Sequence, residues 1–265
     1  MIAIRSCAGF DELQACVQLQ IETWGIDASE VFPRRAFFLA QKIGGQVIAA
    51  FDTEIGDGPD ALVGYVLSWP GVKSGGGAAQ PYLHSHMLAV RAAYRNRGIG
   101  AALKLDQRKE ALSRGIQRME WTFDPLEIKN AYLNLHKLGA IAYRYEENFY
   151  GVSSSRLQGG LPTDRLVAVW QLDSLRVEAA IEGRPAGVHE VMRRIPVPAA
   201  IYEWKASDAG REHALAVQTE NRRAFQEAFM SGLTVIGFSR DAQGNGVFEL
   251  GPLSHHEADL KFQGM

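Results

Sequence analysis

Apolar residues gather in two kinds of short run along the chain. "IAIRSC" (Ile2–Cys7), "QVIAAFD", "ALVGYVLSW", "YLHSHMLAV", "IQRMEWTF", "AIAYRYEENFYG" and "RLVAVWQL" are rich in β-branched and aromatic residues and predict strands. Between them, Leu13–Trp24, 33–43, a run ending near Arg114, and Leu126–Leu138 place apolar residues at helical spacing. Asp11 is positioned to cap the first helix. Asp124 with Pro125 reads as the N-cap and first position of the last one, a role that fully explains both residues. "TEIGDGPD" is a turn cluster joining two strands as a hairpin, and "PGVKSGGGAAQP", with Gly75–Gly77 at its middle, reads as a flexible connector. The order β-α-α-β-β-β-α-β-α-β-β predicts an α/β (α+β) domain over residues 1–173, with a mixed central sheet and helices on both faces.

Past Asp173 the texture changes. Prolines and charges crowd "RVEAAIEGRPAGVHEVMRRIPVP", which reads as linker with a short strand. Ser207 and Asp208 offer caps for a long helix to Ser231, whose stripe is Val217, Ala224, Phe225, Ala228 and Phe229, and Gly232 stops it. "TVIGFSR" and "GVFEL" flank "DAQGNG" as a second hairpin. Residues 174–265 are therefore expected to form a small C-terminal α+β extension. Phe225 and Phe229 are expected in its core and Arg222 and Arg223 in water. The extension is equally compatible with lining an acceptor pocket or making a homodimer contact. His255-His256-Glu257 reads as a flexible tail rather than a metal site.

Composition narrows the class. The chain has 265 residues, 46% hydrophobic and 22% charged, with a formal charge of −2. That balance suits a soluble enzyme and argues against nucleic acid as the partner. Cys7 and Cys16 form no CxxC and read as reduced core thiols. The first residues lack the layout of a signal peptide, and no apolar run approaches the ~18 residues that span a bilayer. A cytoplasmic protein without membrane attachment is expected.

The most informative stretch is "HMLAVRAAYRNRGIGAAL" (His86–Leu103). A strand ends at Val90, a loop follows with Arg91, Arg95 and Arg97, and a helix opens after Gly98 and Gly100. The first N–H groups of a helix have no intrahelical partner, and glycines let a phosphate approach them. From Arg91 to Arg118 eight basic residues stand against Asp106 and Glu110, a local charge of +6. A phosphorylated ligand is expected here, although the dinucleotide and P-loop glycine patterns are absent.

Arg95-x-x-Gly98-x-Gly100-Ala101 resembles the (R/Q)xxGxG/A signature of the GNAT acetyltransferase superfamily. The preceding "LAV" and the order of elements over residues 1–173 fit the same family. "FDPLEIKNAYLNLHKLGAIAYRYEENFYG" (Phe123–Gly151) is similar to a set of predicted bacterial GNAT proteins of unassigned substrate that carry a comparable C-terminal extension. The resemblance implies a GNAT fold, acetyl-CoA as acyl donor, no metal, and transfer of the acetyl group to a small amine by direct attack. It implies that Leu88, Ala89 and Val90 bond the pantetheine arm and that Arg95, Asn96, Arg97, Gly98, Ile99, Gly100 and Ala101 cradle the pyrophosphate, with the Leu88 N–H polarising the thioester carbonyl. Asn130, or Asn134, is placed to contact the coenzyme.

For a general base the candidates are His86 and His84, in an "HSHMLAV" similar to the HxHxLAV of arylalkylamine N-acetyltransferases, with Glu120 on the next strand as rival. Strand alternation predicts that both histidines share a face with Tyr82 and Leu88. The family's acid tyrosine, four residues before the helix-ending glycine, is here Leu135; Tyr132, three residues earlier, is the substitute, with Tyr143, Tyr145 and Tyr150 further off. The missing tyrosine keeps open a second reading, a catalytically silent CoA-binding module.

Overall fold

The computed structural model describes residues 1–73, 79–184 and 190–253; Gly75–Gly77 and His255-His256-Glu257 lie outside them. The chain divides into two compact units, Met1–Met119 and Glu120–Met265.

In the first unit β1 (Ile2–Ser6), β2 (Gln46–Asp52), β3 (Leu62–Lys73) and β4 (Gln80–Val90) form an antiparallel sheet in that order. α1 (Gly9–Trp24), α2 (Arg34–Lys42) and α3 (Ile99–Ser113) cover it. β2 shows why both faces are dry. Val47, Ala49 and Phe51 pack with Leu13, Cys16 and Phe37, while Ile48 and Ala50 pack with Ile99 and Leu103 of α3. A continuous apolar strand is what two-sided burial requires. The expected α/β class with helices on both faces is thereby seen. Cys7 and Cys16 are buried free thiols, Sγ to Sγ 3.7 Å.

Local expectations need two corrections here. α1 starts at Gly9, and its capping carboxylate is Glu12, which accepts the Ala8 N–H at 2.7 Å, rather than Asp11. The connector is shorter than its glycines and prolines suggest. β3 and β4 pair out to Val72↔Pro81 and Lys73↔Gln80, and Gly71 leaves room for the Tyr82 ring, which a Cβ would meet at 2.4 Å. Ladder pairing at a strand end outweighs the local turn chemistry.

The second unit holds β5 (Arg118–Phe123), β6 (Ile141–Glu146), β7 (Arg165–Gln171), β8 (Arg193–Val197), β9 (Thr234–Arg240) and β10 (Gly246–Gly251), in the sheet order β5-β7-β6-β9-β10-β8. Its helices are α4 (Ile128–Ala131), α5 (Leu175–Ile181), α6 (Ile201–Lys205) and α7 (Arg211–Met230). β9 pairs with β6 through Ala142↔Val235, so the strands after residue 173 continue a sheet begun before it. Phe225 of α7 is fully buried against Tyr145 and Phe248.

Three expectations change in this unit. α5 stands where linker was expected, α6 follows where no element was expected, and α7 starts at Arg211, with Ser207 Oγ accepting the Gly210 N–H just before it. Asp124 is not a helix cap: its Oδ1 accepts the Leu126 N–H at 2.8 Å in a turn, the helix begins only at Ile128, and Oδ2 takes Lys205 Nζ at 2.8 Å. Arg222 is not in water. Its Nε and Nη2 grip fully buried Asp164 at 2.8 and 3.0 Å, and Nη1 reaches Glu147 at 3.0 Å. Among the described residues no helix is long and apolar enough to cross a membrane.

Candidate active site

The end of β4 and the start of α3 build an anion cradle. Asn96 and Gly98 both have positive φ, +62° and +80°, which turns the chain sharply into the helix. α3 has no side-chain cap and no acidic residue in its first turn. A Cβ on Gly98 would meet nothing within 4 Å, so the space over the first turn is open. The loop is braced from below: Arg95 Nε donates to the Val90 carbonyl at 3.0 Å, Tyr94 Oη donates to Asp52 at 2.7 Å, and the Arg97 guanidinium lies 5.2 Å from the Tyr94 ring centre. Arg95, Asn96, Arg97 and Gly98 are exposed, Gly100 and Ala101 half-buried and Ile99 buried. The cradle's charge comes from Arg95 and Arg97, since Arg91 lies 3.9 Å from the Glu22 carboxylate. The wider +6 does not reach it intact, because Lys104 and Arg118 are buried and Arg114 pairs with Glu110.

β4 is irregular next to this cradle. Ser85 pairs with Ser68 and Met87 with Leu67, so His86 is the extra residue of a β-bulge. A bulge re-aims side chains, and it does so here. Met87 packs with Tyr65, Leu67 and Phe32 in the α1/α2 core, whereas Leu88 packs with Val66, Val90 and Ile99 on the α3 side. The expected sharing of one face by His86 and Leu88 is therefore corrected. His86 lies on the α1/α2 side, its ring 5.0 Å from Phe32 and 6.0 Å from His84. Burial lowers its imidazole below the ordinary histidine range. Phe32, itself 5.8 Å from Trp69, completes an aromatic cluster that strand periodicity does not reveal.

The other candidates lie in the second unit. Glu120 is buried and accepts Arg144 Nη2 at 2.7 Å. Tyr132 opens a π-helical turn, Tyr132–Lys137. The wider turn breaks the expected alignment of Tyr132 with Leu135. Leu135 is buried, while the Tyr132 ring is stacked 4.5 Å from His136 with the Arg240 guanidinium 4.7 Å away. Asn130 is exposed on α4 and Asn134 is buried. Tyr145 donates to Asp164 at 2.6 Å, Tyr150 Oη meets Thr122 Oγ1 at 2.8 Å, and the Tyr143 ring carries Arg144 at 5.8 Å.

Residues 13–140 match the family model described as acetyltransferase (GNAT) family. They are a GNAT acetyltransferase domain. No curated protein matches the chain in sequence. Among solved structures, the GNAT fold recurs in the ribosomal-protein-S18-alanine N-acetyltransferase of Escherichia coli, at 14% identity and TM-score 0.50, covering 66% of this chain and 96% of that one. It recurs in Arabidopsis thaliana NAA60 bound to a bisubstrate analogue, at 17% identity and TM-score 0.50, covering 64% and 98%, and in the same protein with acetyl-CoA, at 16% identity and TM-score 0.50, covering 64% and 99%. At such identities the likeness is one of GNAT architecture.

Proposed function

We propose that this protein is an acetyl-CoA-dependent N-acetyltransferase acting on a small amine in the cytoplasm. The observation that carries the reading is the uncapped start of α3, reached through two positive-φ residues in a loop that holds three arginines, inside a GNAT domain. Backbone amides at such a helix start favour a diphosphate, a group that acetyl-CoA carries, and the NAA60 structure of similar fold was solved in complex with acetyl-CoA. Residues 1–173 supply donor and transfer chemistry in this reading, and residues 174–265 are an addition to them.

Main-chain groups of Leu88, Ala89 and Val90 would align the pantetheine arm, and the Leu88 N–H would polarise the thioester carbonyl. His86 takes the proton of the attacking ammonium. Its lowered pKa keeps it in the free-base form at neutral pH, as the step requires. The amine nitrogen bonds the carbonyl carbon, the carbon–sulfur bond breaks, and CoA leaves as a thiolate that water can protonate. His84, 6.0 Å from His86, continues the route of the proton outward.

The buried Leu135 at the family's acid-tyrosine position favours one competing reading, a silent CoA-binding module. Free-thiol release over a panel of amines separates the two. Turnover that falls by about 100-fold or more in His86→Gln supports the enzyme. CoA binding in calorimetry with no thiol release for any amine supports the module, and no heat with CoA at all overturns both.

A further inference from the structure

The face of β4 opposite His86 carries a buried polar chain that nothing in the coenzyme cradle explains. Lys104 of α3 is 3% exposed, and its Nζ donates to Ser85 Oγ at 2.7 Å. Ser85 Oγ donates to Gln107 Oε1 at 3.0 Å. The Gln107 carbonyl accepts Gln46 Nε2 at 3.0 Å, and Gln46 exchanges hydrogen bonds with Ser68, main-chain N to Oγ at 3.1 Å and Oγ to Oε1 at 2.9 Å. Gln46 Nε2 also donates to Glu110, at the rim.

Position gives this chain its meaning. Ser68 and Ser85 are cross-strand partners, the last regular pair before the bulge at His86. Both hydroxyls of that pair are therefore tied, one to β2 and one to α3. Burying a lysine amine in a core is costly and is repaid only by what it holds. Burial drives the Lys104 amine well below the ordinary lysine range, and the amine donates to the Ser85 hydroxyl in either protonation state. Leu103, one residue before, is apolar and packs against β2 and β3 in the same helix, so an aliphatic residue fills α3's buried face readily. What Lys104 adds is a directed bond to the residue next to the bulge.

We propose that Lys104, Ser85 and Gln107 are positioning residues for acetyl transfer: from beneath the sheet they fix the bulge of β4, and so the direction of His86 above it. The inference rests on the reading of His86 as base. A base displaced by a fraction of an ångström loses rate without loss of coenzyme binding, because the cradle at α3 is untouched.

The test uses Ser85→Ala, Lys104→Met, their double variant and Lys104→Gln, which retains a donor. Each single loss should lower kcat about tenfold or more, with KM for acetyl-CoA within about twofold. The double variant should fall no further than the worse single one, and Lys104→Gln should recover most of the loss. Hydrogen exchange of the amides from Leu83 to Ala89 should quicken by about tenfold in Ser85→Ala while β2 stays protected. That measurement needs no turnover, so it decides the proposal even if no amine is acetylated. Unchanged kcat in folded single variants, losses that multiply in the double variant, or unchanged β4 exchange would each overturn it.

Discussion

The two compact units each bury a lysine, and the two lysines differ in what they meet. Lys104 donates to a serine hydroxyl, and desolvation pulls its pKa down. Lys205 is also desolvated, but Asp124 at 2.8 Å and Glu127 at 3.0 Å more than offset the burial and raise its pKa. The same side chain is thus pushed toward its neutral form in one core and held as a cation in the other. Sequence alone would score both as +1. The difference teaches that a buried charge is defined by its partners: Lys205 neutralises a carboxylate pair at the start of α4, while Lys104 serves as a hydrogen-bond donor to a strand.

The sharpest way to break the comparison is stability. Lys205→Met strands two carboxylates in a core and should cost about 3–5 kcal/mol in urea unfolding. Lys104→Met removes one hydrogen bond together with the cost of burying the amine, and should cost about 1 kcal/mol at most. Equal costs would erase the distinction drawn here.

Arg222→Ala should fall between them, at about 1–3 kcal/mol, since Asp164 keeps the Tyr145 hydroxyl and the Asn148 N–H after losing its bidentate partner. An unfolding midpoint unchanged from the native chain would contradict that ranking. Gly98→Val tests the cradle: forcing a branched residue into φ +80° over the open first turn should weaken CoA binding in calorimetry by about tenfold, or about 1.4 kcal/mol. Undiminished affinity would move the coenzyme away from α3.

The smallest expected effect is a slope, and its sign differs between the lysines. Between its lowered folded value and the unfolded-lysine value of about 10.4, Lys104 binds a proton more fully in the unfolded chain than in the folded one. Stability from this site therefore rises with pH by up to about 1.4 kcal/mol per unit, and falls away as pH drops toward the lowered folded value. Lys205 acts in reverse: its contribution is intact below about 10.4 and is lost as pH climbs through the raised folded value. The stability gap between the native chain and Lys104→Met should widen in favour of the native chain from pH 7.5 to 9.5, about two units over which the lysine of the unfolded chain stays protonated. A constant gap would mean that Lys104 is charged in the fold.

How much of this was legible in the sequence depends on the range of the interaction that decides it. The β4–loop–α3 junction is local: glycines, arginines and a strand-to-helix switch within eighteen residues announce it. The apolar run of β2 declares burial on two faces, and the β9–β10 hairpin follows from its turn residues. The bulge at His86 is not local, since it exists only in the pairing of β4 with β3. The π-turn at Tyr132–Lys137 likewise needs its tertiary neighbours, so an α-helical count misaligned Tyr132 with Leu135. Arg222 and Asp164 lie 58 positions apart, and no composition rule joins them. The buried face of α3 was partly readable: Ile99, Leu103, Gln107 and Ala111 recur every fourth residue, which puts Gln107 on the apolar stripe.

The pairing of β9 with β6 bears on how this chain could be shortened. A version ending near residue 173 would keep the acetyltransferase family match intact and yet strip β6 of one of its two neighbours, β9. The main-chain donors and acceptors laid bare along that edge would recruit strands from other molecules, so clumping rather than a smaller working enzyme is what a trimmed protein would yield.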